Sequence, residues 1–277
     1  MIFIKIITKI NSVPDSLPET LVIAISQSGE TADVLEAISV AKKKGSKIIS
    51  ITNVQESSIA RESDYSFLIN AGPEKAVAST KATTSQIIVT ILLAYASAGM
   101  LNEGYRILSE ISGKVNDMLN PRYSKHIESI AENFYDKKDL FIVGRGFNYP
   151  VALESAIKIM EVSYIHSQGF AGGELKHGPI ALIEEGTPVI ALIANDDVKE
   201  ETINNAIEVK SRGARIIGIG PEKNDAFDYW IKTPEVNEEC SIIVNLISVQ
   251  LLAYYLGILK GLDVDYPRSL AKSVTVK

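Results

Sequence analysis

The chain has 277 residues, of which 46% are hydrophobic and 22% charged, and its 34 acidic and 28 basic side chains give a net charge of −6. This balance is typical of a globular protein and excludes collagen-like and disordered classes, and the length predicts one large or two medium domains. The acidic charge argues against a nucleic-acid partner, while one cysteine and three histidines exclude a disulfide framework and leave little material for a zinc site.

Two apolar segments lack the features of a signal peptide and of a membrane-spanning helix. The N-terminal run Met1–Ile7 is short, is interrupted by Lys5 and is followed by no small-residue cleavage site, which predicts no signal peptide. The segment 241–259 is broken by Asn245 and Gln250, so it predicts a buried core helix rather than a membrane span. The expected location is therefore the cytoplasm, and no membrane partner is expected.

The first half of the chain alternates strand and helix patterns. An apolar run at 21–25 predicts a strand, the spacing of apolar residues at 31–44 predicts a helix, and the Ile-rich run after Gly45 predicts a second strand. A short strand follows near Asp64, and a long apolar helix is predicted at 80–99. Strands this apolar are typical of a parallel sheet that is buried on both faces.

The middle of the chain predicts a helical connection over 101–136 that is broken at Pro121. A strand from Asp139 then ends in a glycine turn at Gly144–Gly146. It leads into a helix that begins near Tyr149 and carries a proline in its first turn. This strand, turn and helix open the second half of the chain.

The second half repeats the first at a nearly constant spacing. Four pairs of segments share residues or pattern: Thr20–Ile25 with Thr187–Leu192, Gly45–Ile51 with Gly213–Ile219, Asp64–Tyr65 with Asp228–Tyr229, and Pro73–Glu74 with Pro234–Glu235. Helical patterns at 197–212 and 239–260 take the places of those at 31–44 and 80–99. Generic patterning alone is the alternative explanation, and the paired Asp-Tyr and Pro-Glu landmarks argue against it.

The fold class that follows is α/β, with two domains that are each a parallel sheet flanked by helices in a three-layer, flavodoxin-like sandwich. The predicted domains are 1–118 and 119–262, followed by a C-terminal tail at 263–277. The residues before Thr20 are too few to hold the strand, turn and helix that precede Thr187. The first domain is therefore expected to be incomplete at its N-terminus.

The loop Ser26–Thr31 joins the first predicted strand to a helix. Carboxyl ends of parallel strands are where open α/β sheets bind ligands, and the N–H groups and dipole of the helix favour an anion there. Three hydroxyls and an amide add neutral donors, and Gly29 allows close backbone approach, which suits a phosphate monoester. The alternative is that Ser28 or Thr31 only caps the helix. The equivalent loop Ile193–Asp197 carries carboxylates, so only one sheet is expected to bind phosphate.

Two further segments each allow two interpretations. Ser79, just before the long helix predicted at 80–99, is either a helix cap or a second hydroxyl donor to the same site. Glu154, Lys158 and Glu161 share one face of the helix predicted after the glycine turn. They form either a surface ion-pair stripe or, because the helix is otherwise apolar, a buried acid–base group.

The segment Gly169–Pro179 contains four glycines and a proline, which predicts a structured loop rather than a helix. It holds His177, whose ordinary pKa of about 6.5 suits proton transfer, although a structural histidine is the alternative. The tail 263–277 is not helical and carries Lys272 between small residues. If the tail is ordered over a site, desolvation of Lys272 would lower its pKa and make it a Schiff-base nucleophile. The alternative is a lysine that is exposed to solvent.

Five motifs occur along residues 20–277: SQSGET at 26–31, VASTK at 77–81, GRG at 144–146, ELKHGP at 174–179 and DYPRSLAKSVTV at 265–276. Together and in this order, they closely resemble the isomerase half of the glutamine–fructose-6-phosphate aminotransferase (glucosamine-6-phosphate synthase) family. That half consists of two SIS (sugar isomerase) domains. Each motif alone is a weak signal, and the set is a strong one.

The resemblance implies a role for each matching residue. The phosphate and sugar ligands would be Ser26, Gln27, Ser28, Thr31 and Ser79, with Val77 contributing its backbone. Glu161 would move a proton between C1 and C2, with Lys158 as a charge partner near the sugar. His177 would open the sugar ring across a dimer interface, and Lys272 would form the Schiff base. The resemblance implies neither a cofactor nor a metal.

Two departures from the family pattern narrow the expected activity. The family's glutaminase domain uses a cysteine at its mature N-terminus, whereas this chain has Ile2 there, and its single cysteine, Cys240, lies inside a predicted helix. This chain alone is therefore not expected to take nitrogen from glutamine. The Cys-Gly-Thr-Ser turn of the family's first domain also has no counterpart in residues 1–19.

The expected activity is isomerisation between fructose 6-phosphate and glucosamine 6-phosphate or glucose 6-phosphate by a homodimer. It would run as an ammonia-dependent synthase, as a deaminase, or with a glutaminase acting in trans. One alternative is a non-catalytic SIS module that binds a sugar phosphate for regulation, and another is a truncated product that turns over poorly. Retention of Glu161, His177 and Lys272 together favours the enzyme, because a sensor needs only the phosphate loop.

Overall fold

The computed structural model describes residues 19–272. These residues form two compact units: the first contains 19–75, 81–93 and 271–272, and the second contains 76–80 and 94–270. Each unit is a parallel sheet with helices, which confirms the predicted α/β class. The predictions for Met1–Ile7 and for the last five residues of the tail lie outside the described residues.

The first unit contains a three-stranded parallel sheet in the order β1-β2-β3. Its elements are β1 Leu21–Ser26, α1 Ala32–Lys43, β2 Lys47–Thr52, α2 Ser58–Arg61, β3 Tyr65–Leu68 and α3 Lys81–Ser97, whose last four residues belong to the second unit. One face of the sheet packs against α1 through Ala24, Ile38 and Ile48. The other face packs against α3 through Ile51 and Ala82.

The second unit contains a five-stranded parallel sheet in the order β5-β4-β6-β7-β8. Its helices are α4 Leu101–Met118, α5 Pro121–Ala131, α6 Asn148–Ser163, α7 Lys199–Lys210 and α8 Glu238–Leu259. Its strands are β4 Asp139–Gly144, β5 His166–Ala171, β6 Pro188–Leu192, β7 Arg215–Gly220 and β8 Tyr229–Lys232. The predicted break at Pro121 is confirmed, because Asn120 caps α5 there. The predicted domain limits at 118 and 262 stay predictions.

The glycine-rich segment 169–179 was predicted as a loop, and the structure corrects its first part. Gly169 lies within β5, and the rest forms two short 3-10 turns, Gly172–His177 and Pro179–Leu182. The sequence of β5 lacks a continuous apolar run because β5 is an edge strand of its sheet. A side chain at Gly169 would come within 2.5 Å of the Ala152 carbonyl oxygen, so the glycine allows β5 to pack against α6.

The prediction that the strands are buried on both faces is wrong for β1. Leu21, Ile23 and Ile25 are 52%, 36% and 42% exposed, although Ala24 on the opposite face is buried. The cause is its position, since β1 pairs only with β2 among the described residues. The equivalent strand β6 lies between β4 and β7, and all five of its residues are buried.

The repeated Asp-Tyr landmark has the same structural role in both units. Asp64 accepts the backbone N–H of Ile48 at 2.8 Å, and Asp228 accepts that of Ile216 at 2.8 Å. Each aspartate also donates its own N–H to the carbonyl of the same isoleucine. The aspartate therefore ties the start of the third strand of the repeat to the second, which explains why the repeat carries it twice.

The helix α8 is the one helix among residues 19–272 that is long and apolar enough to cross a membrane, by length and composition alone. Of its most apolar window, 56% is buried, and the helix packs against α5 and α6. This agrees with the predicted core helix. Its residue Cys240 is fully buried, and burial raises the pKa of this thiol to about 12.

The Asp228 contact can be tested by Asp228→Ala. We expect the free energy of unfolding to fall by about 1–3 kcal/mol, because the buried Ile216 N–H loses its charged acceptor and Lys210 and Arg215 lose an ion pair. Urea titration measures the change. Asp225→Ala, an exposed carboxylate in the same turn, is the matched control and should change stability little. Equal stability of the two variants would contradict this role.

Candidate active site

The loop between β1 and α1, in the first unit, is organised by its own hydroxyl groups. Ser26 Oγ and Thr31 Oγ1 share a hydrogen bond of 2.9 Å, and the Gly29 N–H donates to Ser26 Oγ at 3.0 Å. Ser26 is buried, and Thr31 is half-buried. The first and last residues of the loop, Ser26 and Thr31, are thus joined by a hydrogen bond.

The middle of this loop is anchored on α2. The Gly29 carbonyl accepts the Ile59 N–H at 2.9 Å, and the Glu30 carboxylate accepts the Ser58 N–H at 2.8 Å. Hydrogen bonds from Ser58 hold the pKa of Glu30 below its usual value. Gly29 has φ +70, and a side chain there would overlap Ser57. Only glycine satisfies both conditions without strain.

The alternative interpretation, in which Ser28 or Thr31 only caps α1 with its side chain, is wrong. Thr31 occupies the cap position, but its side chain makes no capping hydrogen bond, and its hydroxyl instead contacts Ser26. Ser28 Oγ accepts the Glu30 N–H, which precedes the helix. The Thr31 side chain therefore does not bind the N–H groups of the first turn of α1. These N–H groups are the ones that would bind an anion. Gln27 and Ser28 are half-buried in the same loop.

The segment 76–80 belongs to the second unit and touches the beginning of the tail. The Val77 N–H donates to the Asp265 carbonyl at 2.9 Å. The cap residue of α3 is Thr80, so the interpretation of Ser79 as the cap is wrong. In the first unit, the carboxylate of Glu74 accepts the Ala82 N–H at 2.9 Å, which satisfies a donor of the first helical turn.

A triad of ionised side chains with a buried lysine at its centre lies on α6 in the second unit. Lys158 is only 5% exposed, and its Nζ lies 2.7 Å from Glu161 Oε2 and 3.4 Å from Glu154 Oε1. The alternative of a solvated surface stripe is therefore wrong for Lys158. Burial raises the pKa of Glu154, and the Lys158 charge opposes this shift. A buried ammonium needs such partners, because an unpaired charge is costly to bury.

Two hollows flank this triad within the second unit. A cavity of about 180 Å³ beside Lys158 is walled by Ala76, Ala78, Thr80, Gln250 and Asp265, among others. A depression of about 400 Å³ beside Glu161 is lined by α6 and by the tail residues Arg268, Ser269 and Leu270. The structure therefore brings Lys158, Glu161, the 76–80 segment and the tail together.

His177 stands at the end of a short 3-10 turn in the second unit and is exposed. Leu175 anchors this turn in the core, and Gly178, with φ +129, redirects the chain immediately after the histidine. The turn is thus fixed while the imidazole faces outward. Lys272, in the tail, is half-buried and is counted with the first unit.

The loop after β6 differs from its counterpart after β1 as predicted. It presents Asp196 and Asp197 beside Glu238, along a depression of about 400 Å³ at the carboxyl edge of the second sheet. Burial raises the pKa of Asp196. Three carboxylates would repel a phosphate dianion, whereas the hydroxyls of the first loop would not.

The triad and the hydroxyl loop offer different chemical groups. Glu161 is a carboxylate with a cation 2.7 Å away, which can take up a proton while the cation stabilises developing negative charge. Neutral donors at a helix N-terminus hold an anion without a lysine. The sequence-based reasoning missed Tyr164, which ends α6 with φ +56 and contacts the tail. Its only signal was its place between α6 and the next strand.

Comparison with known proteins identifies the family. The SIS domain matches residues 7–96 and again residues 133–260. A glutamine–fructose-6-phosphate aminotransferase of Thermococcus kodakarensis is 45% identical over 267 residues, which cover 94% of this chain and 44% of the relative. One of Clostridium acetobutylicum is 46% identical over 270 residues, covering 93% and 44%. The chain thus spans less than half the length of these curated relatives.

Solved structures give the same fold. The C-terminal domain of glucosamine-fructose-6-phosphate aminotransferase from Francisella tularensis superposes with a TM-score of 0.82 at 36% identity, covering 89% of this chain and 72% of that one. A glucosamine-6-phosphate deaminase from Thermotoga maritima superposes with a TM-score of 0.76 at 26% identity, covering 95% and 78%. The two SIS matches on this chain agree with the two SIS domains that the motifs indicated.

Gly29→Ala tests the geometry of the hydroxyl loop. We expect the free energy of unfolding to fall by more than about 1 kcal/mol, because the added methyl group adopts an unfavourable φ and overlaps Ser57. Gly72→Ala is the matched control, since Gly72 has φ +67 but open space around it. Chemical denaturation compares them. A Gly29 variant as stable as the Gly72 variant would show that the Ser57 contact does not constrain the loop.

Proposed function

This chain belongs to the SIS domain family, and from that premise we propose that it is a sugar-phosphate isomerase acting on fructose 6-phosphate and glucosamine 6-phosphate. The names of its relatives support the substrate class. The observation that carries the proposal is the buried Lys158 between Glu154 and Glu161, next to the 76–80 segment. A protein that only binds a phosphate gains nothing from a buried lysine paired with two carboxylates.

The phosphate of the substrate would be bound without a cation. Its proposed ligands are the side chains of Ser26, Gln27, Ser28, Thr31 and Ser79, with the backbone of Val77. The helix N-terminus behind the loop supplies N–H donors and a favourable dipole.

The isomerisation step would use the triad. Glu161 removes a proton from one of the carbons C1 and C2 and returns it to the other. Lys158, 2.7 Å from that carboxylate, stabilises the negative charge of the enediol or enolamine that forms between the two transfers. Glu154 holds Lys158 in place from its other side.

The remaining proposed groups act before and after isomerisation. His177 opens the sugar ring, and Lys272 forms a Schiff base with the C2 ketone of fructose 6-phosphate, releasing water. In the deaminase direction, glucosamine 6-phosphate and water give fructose 6-phosphate and ammonia, and the synthase direction is the reverse. The nitrogen would come from ammonium or from a glutaminase acting in trans.

The proposed assembly is a homodimer in the cytoplasm. Leu153, Ile157 and Met160 lie at helical spacing on α6, and each is between 38% and 43% exposed. An apolar stripe of this kind is typical of a surface that another subunit covers. The exposed His177 is then available to the site of the partner subunit. The free, buried Cys240 is compatible with a reducing compartment.

Turnover and one variant test the activity. Purified protein with glucosamine 6-phosphate should release ammonia and fructose 6-phosphate in equal amounts, and fructose 6-phosphate with ammonium should give the reverse. Glu161→Gln should lower kcat by roughly 10²–10⁴-fold, because it removes the base but keeps the shape. Glu132→Gln, which changes an exposed carboxylate immediately after α5, should have no effect.

The outcomes separate this proposal from its alternative. Calorimetric binding of fructose 6-phosphate without any turnover, in wild type and both variants alike, would indicate a sugar-phosphate sensor instead. Full activity of Glu161→Gln would contradict the assignment of the base while leaving the activity itself intact.

Mixing two inactive variants tests the shared site. If His177 acts in the neighbouring subunit, a heterodimer of Glu161→Gln and His177→Ala has one site with both residues intact. Random exchange should then restore about a quarter of wild-type activity. A histidine acting within its own subunit would restore none, and activity that survives dilution to a verified monomer would contradict the dimer.

A further inference from the structure

We propose that Tyr164 and Arg268 form a clamp that positions the C-terminal tail for the chemistry of Lys272. This inference rests on the proposed function and adds to it two positioning residues. Tyr164 and Arg268 are 104 residues apart in the chain and both lie in the second unit. Arg268 lies in the motif 265–276, but the resemblance assigned a role to neither residue.

Two contacts of different kinds join the pair. The Arg268 backbone N–H donates to the Tyr164 hydroxyl at 2.7 Å. The Arg268 guanidinium also lies 4.4 Å from the centre of the Tyr164 ring, which is a cation–π contact. The ring and the hydroxyl of one tyrosine therefore hold the side chain and the backbone of one arginine.

The backbone on both sides of the clamp is in an unusual conformation. Tyr164 has φ +56 and Ser269 has φ +62, and both are left-handed conformations that L-residues with side chains rarely adopt. At the end of a helix this conformation normally selects glycine. A bulky tyrosine at this position needs another reason, and the contact with Arg268 supplies one.

The clamp holds the tail at Arg268, and other hydrogen bonds hold the tail at its start. The Asp263 carboxylate accepts the N–H groups of Asp265 and Tyr266 at 3.0 Å, and the Asp265 carbonyl accepts the Val77 N–H. Arg268 then lines the same depression as Glu161. Lys272 follows Arg268 by four residues, so its Cα lies within about 14 Å of the Arg268 Cα. Holding Arg268 thus limits where the nucleophile can go.

The expected kinetic effect is a loss of rate rather than of binding. The clamp residues are not among the proposed phosphate ligands, so KM for fructose 6-phosphate should stay within about threefold of wild type. A misplaced nucleophile loses near-attack geometry, so kcat should fall by roughly 10–100-fold in Tyr164→Leu and in Arg268→Ala. Arg268→Lys keeps a cation over the ring and should recover part of that loss.

A glycine variant separates positioning from stability. Tyr164→Gly accepts φ +56 without strain, so its thermal midpoint should exceed that of Tyr164→Leu. Both variants lack the clamp and should lose kcat equally. Tyr266→Leu, a substitution of an exposed tyrosine in the same tail, is the matched control and should keep wild-type kinetics. If kcat instead follows the thermal midpoint, the clamp is only structural and the proposal is overturned.

Trapping with borohydride measures the proposed step directly. Hydride from borohydride reduces the imine between Lys272 and fructose 6-phosphate to a stable secondary amine, which mass spectrometry locates on the tail peptide. Clamp variants should trap more slowly than wild type at saturating sugar. If Tyr164→Leu and Arg268→Ala have the same trapping rate and the same kcat as wild type, the clamp proposal is overturned and the proposed function stands. An inactive, untrapped wild type would overturn the proposed function, and with it the clamp.

Discussion

The structure of both units depends on one constraint: the two faces of a parallel sheet must be buried by packed helices. Parallel strands require crossover connections, and these crossovers carry the helices that bury the sheet. The same rule places every strand's carboxyl end at one edge, where loops meet the N-termini of helices. The loop after β1 and the loop after β6 both lie at such an edge. The apolar strands and the candidate ligand loops therefore have one common cause.

The same constraint explains why β1 and β6 differ in burial despite their similar sequences. The side chains of β6 are buried because β4 and β7 flank it and helices cover both faces of its sheet. In the first unit the described sheet has three strands, and one face of β1 remains exposed. Burial is thus decided by neighbouring strands and helices rather than by the strand's own sequence.

The proposed chemistry of the second unit depends on a lysine that could not be buried alone. The Lys158 ammonium is stable at 5% exposure because two carboxylates approach it from the preceding and following turns of α6. The i−4 and i+3 spacing that provides them is fixed by the helix. The helix α6 packs against the sheet and against α8. Its Lys158 lines a cavity together with the 76–80 segment and the beginning of the tail.

Much of the fold could be predicted because its signals are local or repeated. Apolar runs indicated β1, β2, β4, β6 and β7, helical spacing indicated α1 and α7, and Pro121 marked a real break. β5 was missed because an edge strand needs no continuous apolar run, and its Gly169 looked like a loop residue. The spacing of Glu154, Lys158 and Glu161 placed them on one face, but only tertiary packing decided that the lysine is buried. The contact between Tyr164 and Arg268 joins distant residues and has no local signal.

The repeat shows which contacts belong to the scaffold and which belong to function. Asp64 and Asp228 make the same backbone contact at 2.8 Å in both units, so this contact serves the fold. The loops at the ligand edge differ: hydroxyls bonded to one another after β1, and carboxylates after β6. A substitution in such a loop leaves the sheet intact, whereas a substitution of the aspartate disturbs it. Under the proposed function, the same scaffold therefore carries an anion-binding edge in one copy and an acid–base helix in the other.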